Sequence, residues 1–485
     1  MGSAQDYDVI VVGSGYGGAS AAESLASAGL KTAIVERGTW WGAFGGHRPL
    51  PETLPQLLAS LTRLNFSGAG RNFSVPLSSR GLLEVSLHGG TLVVNSSGVG
   101  GNSLVSGAYL HRPAPQFFDS LPPEITAAGL DPHYQRIERA VQVSAGPQDQ
   151  RKLAALTALA ERRKWAIGET PQAIRWQSDD PVARPPCTQC NRCMFSCNVG
   201  AKMGFDQNLI PSAIKSGAVL HDLCAVQTVA YVPGGYEVRA YDGRQRSNVI
   251  LRAPRVVMAA GGMNTLKILL RSASVGALGN IPALGQHFSM AGDTVEFYRL
   301  PRNSLAEEVK GHIMDAQLRV PGPGAEFDHQ ILAPTGPLIP GSPLLRRLQG
   351  RRILPLFGFG PDAMDGRVSW KNRGIVVRHE PQAIVPRIQE SLDHIAREFG
   401  WDKPVRPAGP NRWARPWVSF HPVGGCRMAT DPSLGVVDYR GEVFGHPGLY
   451  VADASVFPTV PIAGPQLSVS ALASWIAERI IRDPE

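Results

Sequence analysis

The chain opens on an unbroken apolar run, Asp8-Val-Ile-Val-Val12, which leads into Gly13-Ser-Gly15-Tyr-Gly-Gly18 and an Ala-rich stretch from Ala19 to Gly29. A short apolar run without alternation suits a strand buried on both faces. The Ala-rich stretch predicts a helix, closed by Gly29 at its C-cap. Lys31-Thr-Ala-Ile-Val-Glu36 predicts a second strand that ends on an acid. Near the C-terminus, Gly448-Leu-Tyr-Val-Ala-Asp453 predicts another short strand ending on an acid, and Pro465 starts a helix running toward Ile481. Between these ends, Gln330-Ile-Leu and Gly374-Ile-Val-Val-Arg378 read as strands of a mixed or antiparallel sheet, and Leu153 to Lys164 as a helix. Residues 321 to 345 are rich in Pro and Gly and read as a surface loop or an access loop. No internal repeat is visible.

Composition narrows the class. With 485 residues, 43% hydrophobic and 18% charged, the chain is globular and long enough for about three domains or two large ones. The formal charge is +8. No Lys/Arg block reaches five residues, so the charge spreads over the surface and no nucleic-acid partner is expected. No transmembrane segment is expected either: the long uncharged run from Ala454 to Ala477 is broken by Pro458, Pro461, Gly464 and Pro465. Asp6 and Asp8 stand where a signal peptide would be basic and then apolar, which makes the cytoplasm the expected compartment.

The first fifty residues carry a dinucleotide site. Gly13 permits the tight turn, Gly15 lets the backbone approach a pyrophosphate, and Gly18 lets helix and strand pack closely. The helix N-terminus stabilises negative charge. Glu36 can accept hydrogen bonds from a ribose hydroxyl and argues against a 2′-phosphate. The fingerprint alone does not separate NAD from FAD. A second glycine cluster, Gly98-Val-Gly100-Gly101-Asn102-Ser103, offers little bulk and many N–H groups, which suits a planar ring, phosphate or merely a turn.

Cys187-Thr-Gln-Cys190-Asn-Arg-Cys193-Met-Phe-Ser-Cys197 has the spacing of a ferredoxin run, with Asn198 in place of its usual Pro. In a reducing compartment such a run holds an iron–sulfur cluster or zinc, or is four reduced structural cysteines. Cys197 or Cys224 would complete a cubane, and a three-iron cluster is a further alternative.

In order along the chain, these pieces resemble the glucose–methanol–choline (GMC) oxidoreductase family, and most closely its cholesterol-oxidase-like branch. The resemblance rests on Gly13 to Glu36, Gly98 to Gly107, the Cys187 region ending in Gly200-Ala-Lys202, Val256-Val-Met-Ala-Ala-Gly261 with Thr265 to Arg271, and His421-Pro-Val-Gly-Gly-Cys-Arg-Met428 through Ala473. It implies an α/β chain, α+β overall: a Rossmann-like FAD-binding domain with an inserted substrate domain on a mostly antiparallel β-sheet. The FAD part would be discontinuous, residues 1–110, 187–295 and 422–485; residues 111–186 would wrap it, and 296–421 would bind substrate.

The resemblance also implies roles. Gly13, Gly15 and Gly18 would hold the pyrophosphate of FAD, Glu36 the ribose, and Val226 the adenine through its backbone. Gly98, Gly101, Asn102 and Ser103 would lie along the pyrophosphate and flavin. Gly261, Asp453 and Ala454 would close over the cofactor. His421 matches the histidine at the flavin face; it would take the hydroxyl proton of an alcohol while hydride goes to the flavin, a task suited to an imidazole. One position departs. The family carries His or Asn just before the Pro of the late helix, where this chain has Gly464. Gln466, Ser468 or another loop would then supply the second hydrogen bond, or His421 works alone. The substrate is expected to be a small-molecule alcohol, a polar metabolite or sugar, because the 296–421 stretch carries Arg319, Asp328, His329, Arg373 and His379 among other polar residues. A steroid or lipid alcohol is the alternative, as is a flavin and iron–sulfur redox enzyme. The acceptor would be O2, or a redox protein or quinone.

Overall fold

The computed structural model describes the chain except residues 1–4, 43–49, 52–53, 69–70, 79, 89, 148–149, 183, 191, 195–196, 300–315, 323–324, 334–352, 380–383, 405–416, 463 and 483–485. At its centre is a five-stranded parallel sheet in the order Val219–His221, Thr32–Val35, Val9–Val12, Arg255–Met258, Leu449–Val451. The two apolar runs of the N-terminal unit are buried along their whole length, as strands covered on both faces must be. The helix Tyr16–Ser27 connects them and packs against Leu209–Lys215 and the C-terminal helix Gln466–Arg482. Its buried face is mostly Gly, Ala and Ser, so its backbone comes very close to its neighbours; a Cβ at Gly17 would fall 1.8 Å from the Ala452 carbonyl oxygen.

Three larger sheets surround this layer, with three two-stranded ones beside them among the described residues. Gln5–Asp6 extends an antiparallel meander formed by Cys224–Val232, Gly235–Asp242 and Ser247–Ala253. A five-stranded sheet orders Trp417–Ser419, Thr91–Ser96, Leu83–His88, Leu61–Gly68 and Arg71–Pro76. A six-stranded antiparallel sheet orders Asp402–Pro404, Thr294–Arg299, Ile353–Phe359, Ala325–Ala333, Ala316–Gly322 and Ala166–Gly168. The helix Ile384–Glu398 covers it, burying Ile384, Ile388, Leu392 and Ile395 at helical spacing.

Two expectations change on folding. Gly374–Arg378 does not join the six-stranded sheet. Among the described residues it pairs only with Arg367–Lys371, because Asn372 and Arg373 close a two-residue turn and Asn72 Nδ2 donates to the Lys371 carbonyl at 2.6 Å. The start of the Pro/Gly-rich stretch is a strand pairing with Ala325–Ala333 rather than a loop; residues 334–345 of it lie outside the described residues. The predicted helix spans Gln150–Arg163. Among the described residues no helix is long and apolar enough to cross a membrane.

Candidate active site

The five parallel strands end at one edge, and the segments that leave them line a cavity of about 1110 Å³. Those segments are Gly13 to Gly17, Glu36 and Arg37, Cys224 to Gln227, Ala259 to Asn264, and Asp453 with Ala454. Ligands of open α/β sheets bind at this carboxyl edge. Gly13 has φ +100°, and a Cβ there would lie 2.4 Å from the Ala259 oxygen. Gly15 caps the first helix without a side-chain hydrogen bond, leaving backbone N–H groups directed outward. A Cβ at Gly101 would sit 2.6 Å from Gly15 Cα, so the two glycine loops touch where both line the cavity.

The acids that end the strands fix this groove. Glu36 is buried; its Oε2 accepts from the Ser14 N–H at 3.2 Å and the Ser14 hydroxyl at 2.7 Å, and its Oε1 accepts from the Gly38 N–H at 2.9 Å. Gly100 N–H donates to the same Ser14 hydroxyl at 3.1 Å, joining both glycine loops. Asp453 Oδ2 accepts from Gly261 N–H at 2.9 Å and Thr265 Oγ1 at 2.5 Å, and Oδ1 from Ser455 at 2.9 and 2.6 Å. Burial raises its pKa; these hydrogen bonds act against that.

Gly13, Gly15, Glu36, Gly101, Asn102, Val226, Gly261, Asp453 and Ala454 therefore share one cavity with His421 and Gln466. Gly18, Gly98 and Ser103 do not line it. A Cβ at Gly18 would meet the Gly13 oxygen at 2.0 Å, Gly98 packs on Trp41, and Ser103 Oγ is held by Gly100 and Phe205 behind the loop. They shape the cradle from outside.

At the other end of the cavity stands His421. Its Nδ1 is 3.0 Å from Asp293 Oδ1, and its Nε2 is 2.9 Å from Gln466 Nε2. A buried carboxylate only accepts, so these partners assign the proton to Nδ1 and the lone pair to Nε2, where the Gln466 amide donates. Asp293 Oδ2 accepts from the Phe420 and His421 N–H groups at 2.6 and 3.1 Å, which fixes the carboxylate and the loop together. The sequence reading did not find Asp293. It lies 128 residues before His421, and no local motif marks it.

Gln466 takes up the room that Gly464 leaves. Gly464 has φ +63°, and a Cβ there would lie 2.6 Å from Gln466 Oε1. Ser468 is committed elsewhere, accepting from Tyr134 at 2.9 Å. Beyond Asp293 and Gln466, an aromatic and aliphatic wall stands beside His421. Phe357 and Phe359 alternate onto one face of their strand, and with Leu332, Phe420, Met194 and Tyr109 they line the cavity. The Phe359 ring centroid is 5.3 Å from that of His421. Of the polar residues named on this part of the chain, Arg319, Asp328, His329 and His379 do not line it. Asp328 and His329 pair with each other at 2.8 Å, His379 pairs with Asp362 at 3.2 Å, and Arg319 reaches His111 at 3.1 Å. Arg373 lines the cavity, but away from His421 on the Arg367–Arg378 hairpin.

The cysteine run had three readings: an iron–sulfur cluster, zinc, or four reduced structural cysteines. Among the described residues no group of three or more His, Cys, Asp or Glu is arranged to hold a metal ion. Cys193 and Cys197 turn into the core, Cys187 is half-buried and Cys190 is exposed. Cys193 packs in an apolar cluster with Tyr109, Phe357 and Phe359. Burial pushes the Cys187 thiol up to about 11 and raises Cys193 as well, which favours neutral thiols. The described residues give the iron–sulfur expectation no support, and free thiols are the reading that this arrangement fits.

The nucleotide cradle at the strand edge, open to a histidine at its far end, marks a dinucleotide-dependent enzyme. The chain belongs to the GMC oxidoreductase family: the description "GMC oxidoreductase" matches residues 7–290 and 400–473. It is an FAD-dependent enzyme acting on alcohol-type substrates. It is 28% identical to an uncharacterised GMC-type oxidoreductase of Mycobacterium tuberculosis, over 98% of this chain and 76% of that one. A cholesterol oxidase of Mycobacterium tuberculosis is 24% identical, over 97% of this chain and 90% of that one. The fold of a formate oxidase from Aspergillus oryzae superposes with a TM-score of 0.71 at 14% identity, covering 100% and 99% of the two chains.

Proposed function

We propose that the protein oxidises a hydroxyl carried on an apolar body, with His421 as the base. The observation that carries this reading is the single cavity that joins the glycine cradle to His421 Nε2 among Phe357, Phe359, Phe420 and Leu332. Gly13, Gly15, Gly101, Gly261 and Asp453 would hold FAD, with Glu36 and Val226 toward its adenosine. FAD, when bound, supplies the hydride acceptor. Every other part belongs to the chain. His421 Nε2 takes the hydroxyl proton. Gln466 holds that lone pair in the resting site and then turns its amide to the substrate oxygen, standing in for the side chain absent at Gly464. Asp293 keeps the proton on Nδ1 and stabilises the imidazolium once Nε2 is protonated. The aromatic wall excludes water, which strengthens each of these interactions.

The polar-substrate expectation rested on residues that lie away from His421, so the apolar wall favours a lipid, steroid or aryl alcohol. A relative bearing the name cholesterol oxidase fits the same choice and makes O2 the favoured acceptor, with a redox protein or quinone as the alternative. The test is FAD-loaded protein offered matched pairs of alcohols, one apolar and one a sugar, under air and then anaerobically with a quinone. Peroxide formed with the apolar member supports the reading. Turnover confined to the sugars overturns the substrate class, and turnover confined to the quinone overturns the acceptor.

A further inference from the structure

The cavity has a second end that this reaction does not use. Past Glu36 and Val226 it continues between the helix Gly262–Ser274 and the five-stranded sheet, under the hairpin Arg367–Arg378. Strand alternation turns Arg63 and His88 inward from that sheet, and helical spacing turns Lys267 and Arg271 toward them. Arg373 completes the ring from the tip of the hairpin.

The charge here is unbalanced. Glu84 is the carboxylate facing the group, and it is already ion-paired to Arg37. Among the described residues Arg63 and Lys267 have no hydrogen-bond or ion-pair partner, and the Lys267 ammonium feels Arg63, Arg37 and Arg271 against Glu84 alone. Burial first, and then those cations, lower its pKa. His88 is 5% exposed, and its Nδ1 has no hydrogen-bond partner among the described residues. Arg373 has φ +61°, a conformation that favours Gly or Asn, beside Asn372 at +49°. The fold therefore holds a cation at a strained turn position facing the same space.

We infer that this compartment is a second ligand site, taking a phosphate-bearing small molecule beside the adenosine end of the cofactor. Cations from three walls suit a group that presents several anionic oxygens, and guanidinium forks can pair with phosphate in bidentate fashion. The inference rests on the FAD reading of the cradle.

The experiment loads the protein with FAD, verifies the flavin by its visible spectrum, and titrates inorganic pyrophosphate by calorimetry at two ionic strengths. One saturable site per flavin is expected. Arg63→Ala with Lys267→Ala should weaken it at least tenfold and leave the flavin spectrum unchanged. Arg373→Gly, which relieves the turn, should also weaken it by several-fold in a protein that folds at least as well. Equal binding in all variants, or heat that vanishes at moderate salt, overturns the site. Binding to the FAD-free protein that FAD displaces one for one overturns it too, because the compartment is then part of the cofactor site. Failure to take up FAD at all overturns the cofactor reading first and this inference with it, and the visible spectrum separates that case from the others.

Discussion

Replacing Asp293 with Asn changes one atom and tests the proposed proton path. In the native site Oδ1 faces His421 Nδ1 at 3.0 Å while Oδ2 accepts two backbone N–H groups at 2.6 and 3.1 Å. The two N–H donors require the amide oxygen on their side, so the new NH2 must face Nδ1. A donor facing Nδ1 moves the ring proton to Nε2. Nε2 then cannot accept the substrate proton and confronts the Gln466 amide, 2.9 Å away, with a second donor. General acid–base assistance is worth about 10²–10⁴-fold, or roughly 3–5 kcal/mol of barrier. Flavin reduction in Asp293→Asn should slow by about that factor, with KM changed by only about threefold, since the apolar wall proposed to bind substrate is untouched. Asp293→Glu should recover part of the rate. The assay is anaerobic stopped-flow bleaching of the flavin band in protein matched for FAD content. Native speed in Asp293→Asn, or a loss entirely in KM, would refute the reasoning.

His421→Ala should keep FAD and slow bleaching by about 10²–10⁴-fold; an unchanged rate removes its assigned role. Gly464→Asn should slow turnover as much as Gln466→Leu does, because its Cβ needs the space of Gln466 Oε1, 2.6 Å away. The double variant should be no worse than either single one, and full additivity of rate losses contradicts the shared position. Glu84 sits at about 2 instead of 4.5: burial would raise it, but Arg37, Lys267 and Asn65 outweigh that. A lowered carboxylate stabilises the fold above about 4.5 and loses that contribution as pH falls toward 2, on the order of 3 kcal/mol at most. The stability deficit of Glu84→Gln in urea unfolding should therefore shrink between pH 6 and pH 3, and a constant deficit would contradict the pairing.

What the sequence revealed follows from how local each signal is. The two-strand unit from Val9 to Glu36 was legible because an apolar run, a glycine turn and an acid follow each other within thirty residues. His421 and Gln466 were legible because the late motifs lie close together. Asp293 was not, since its partner comes from a loop far along the chain and one acid carries no pattern. The helix Ile384–Glu398 could have been read from Ile384, Ile388, Leu392 and Ile395, a spacing that repeats on one face. The cysteine run stayed ambiguous because spacing says nothing about direction; folding buries Cys193 and leaves Cys190 exposed. The polar residues of the 296–421 stretch carry no direction in the sequence either: in the fold Asp328 pairs with His329, and His379 with Asp362.

The most direct test of the central claim is the reduction of enzyme-bound flavin by an apolar alcohol deuterated at the carbinol carbon, followed without oxygen in native protein and in His421→Ala. Bleaching slowed by deuterium in the native protein, and slowed by about 10²–10⁴-fold in the variant, is the predicted result. Bleaching at the same rate in both proteins, or none with any alcohol while FAD remains bound, would contradict the account.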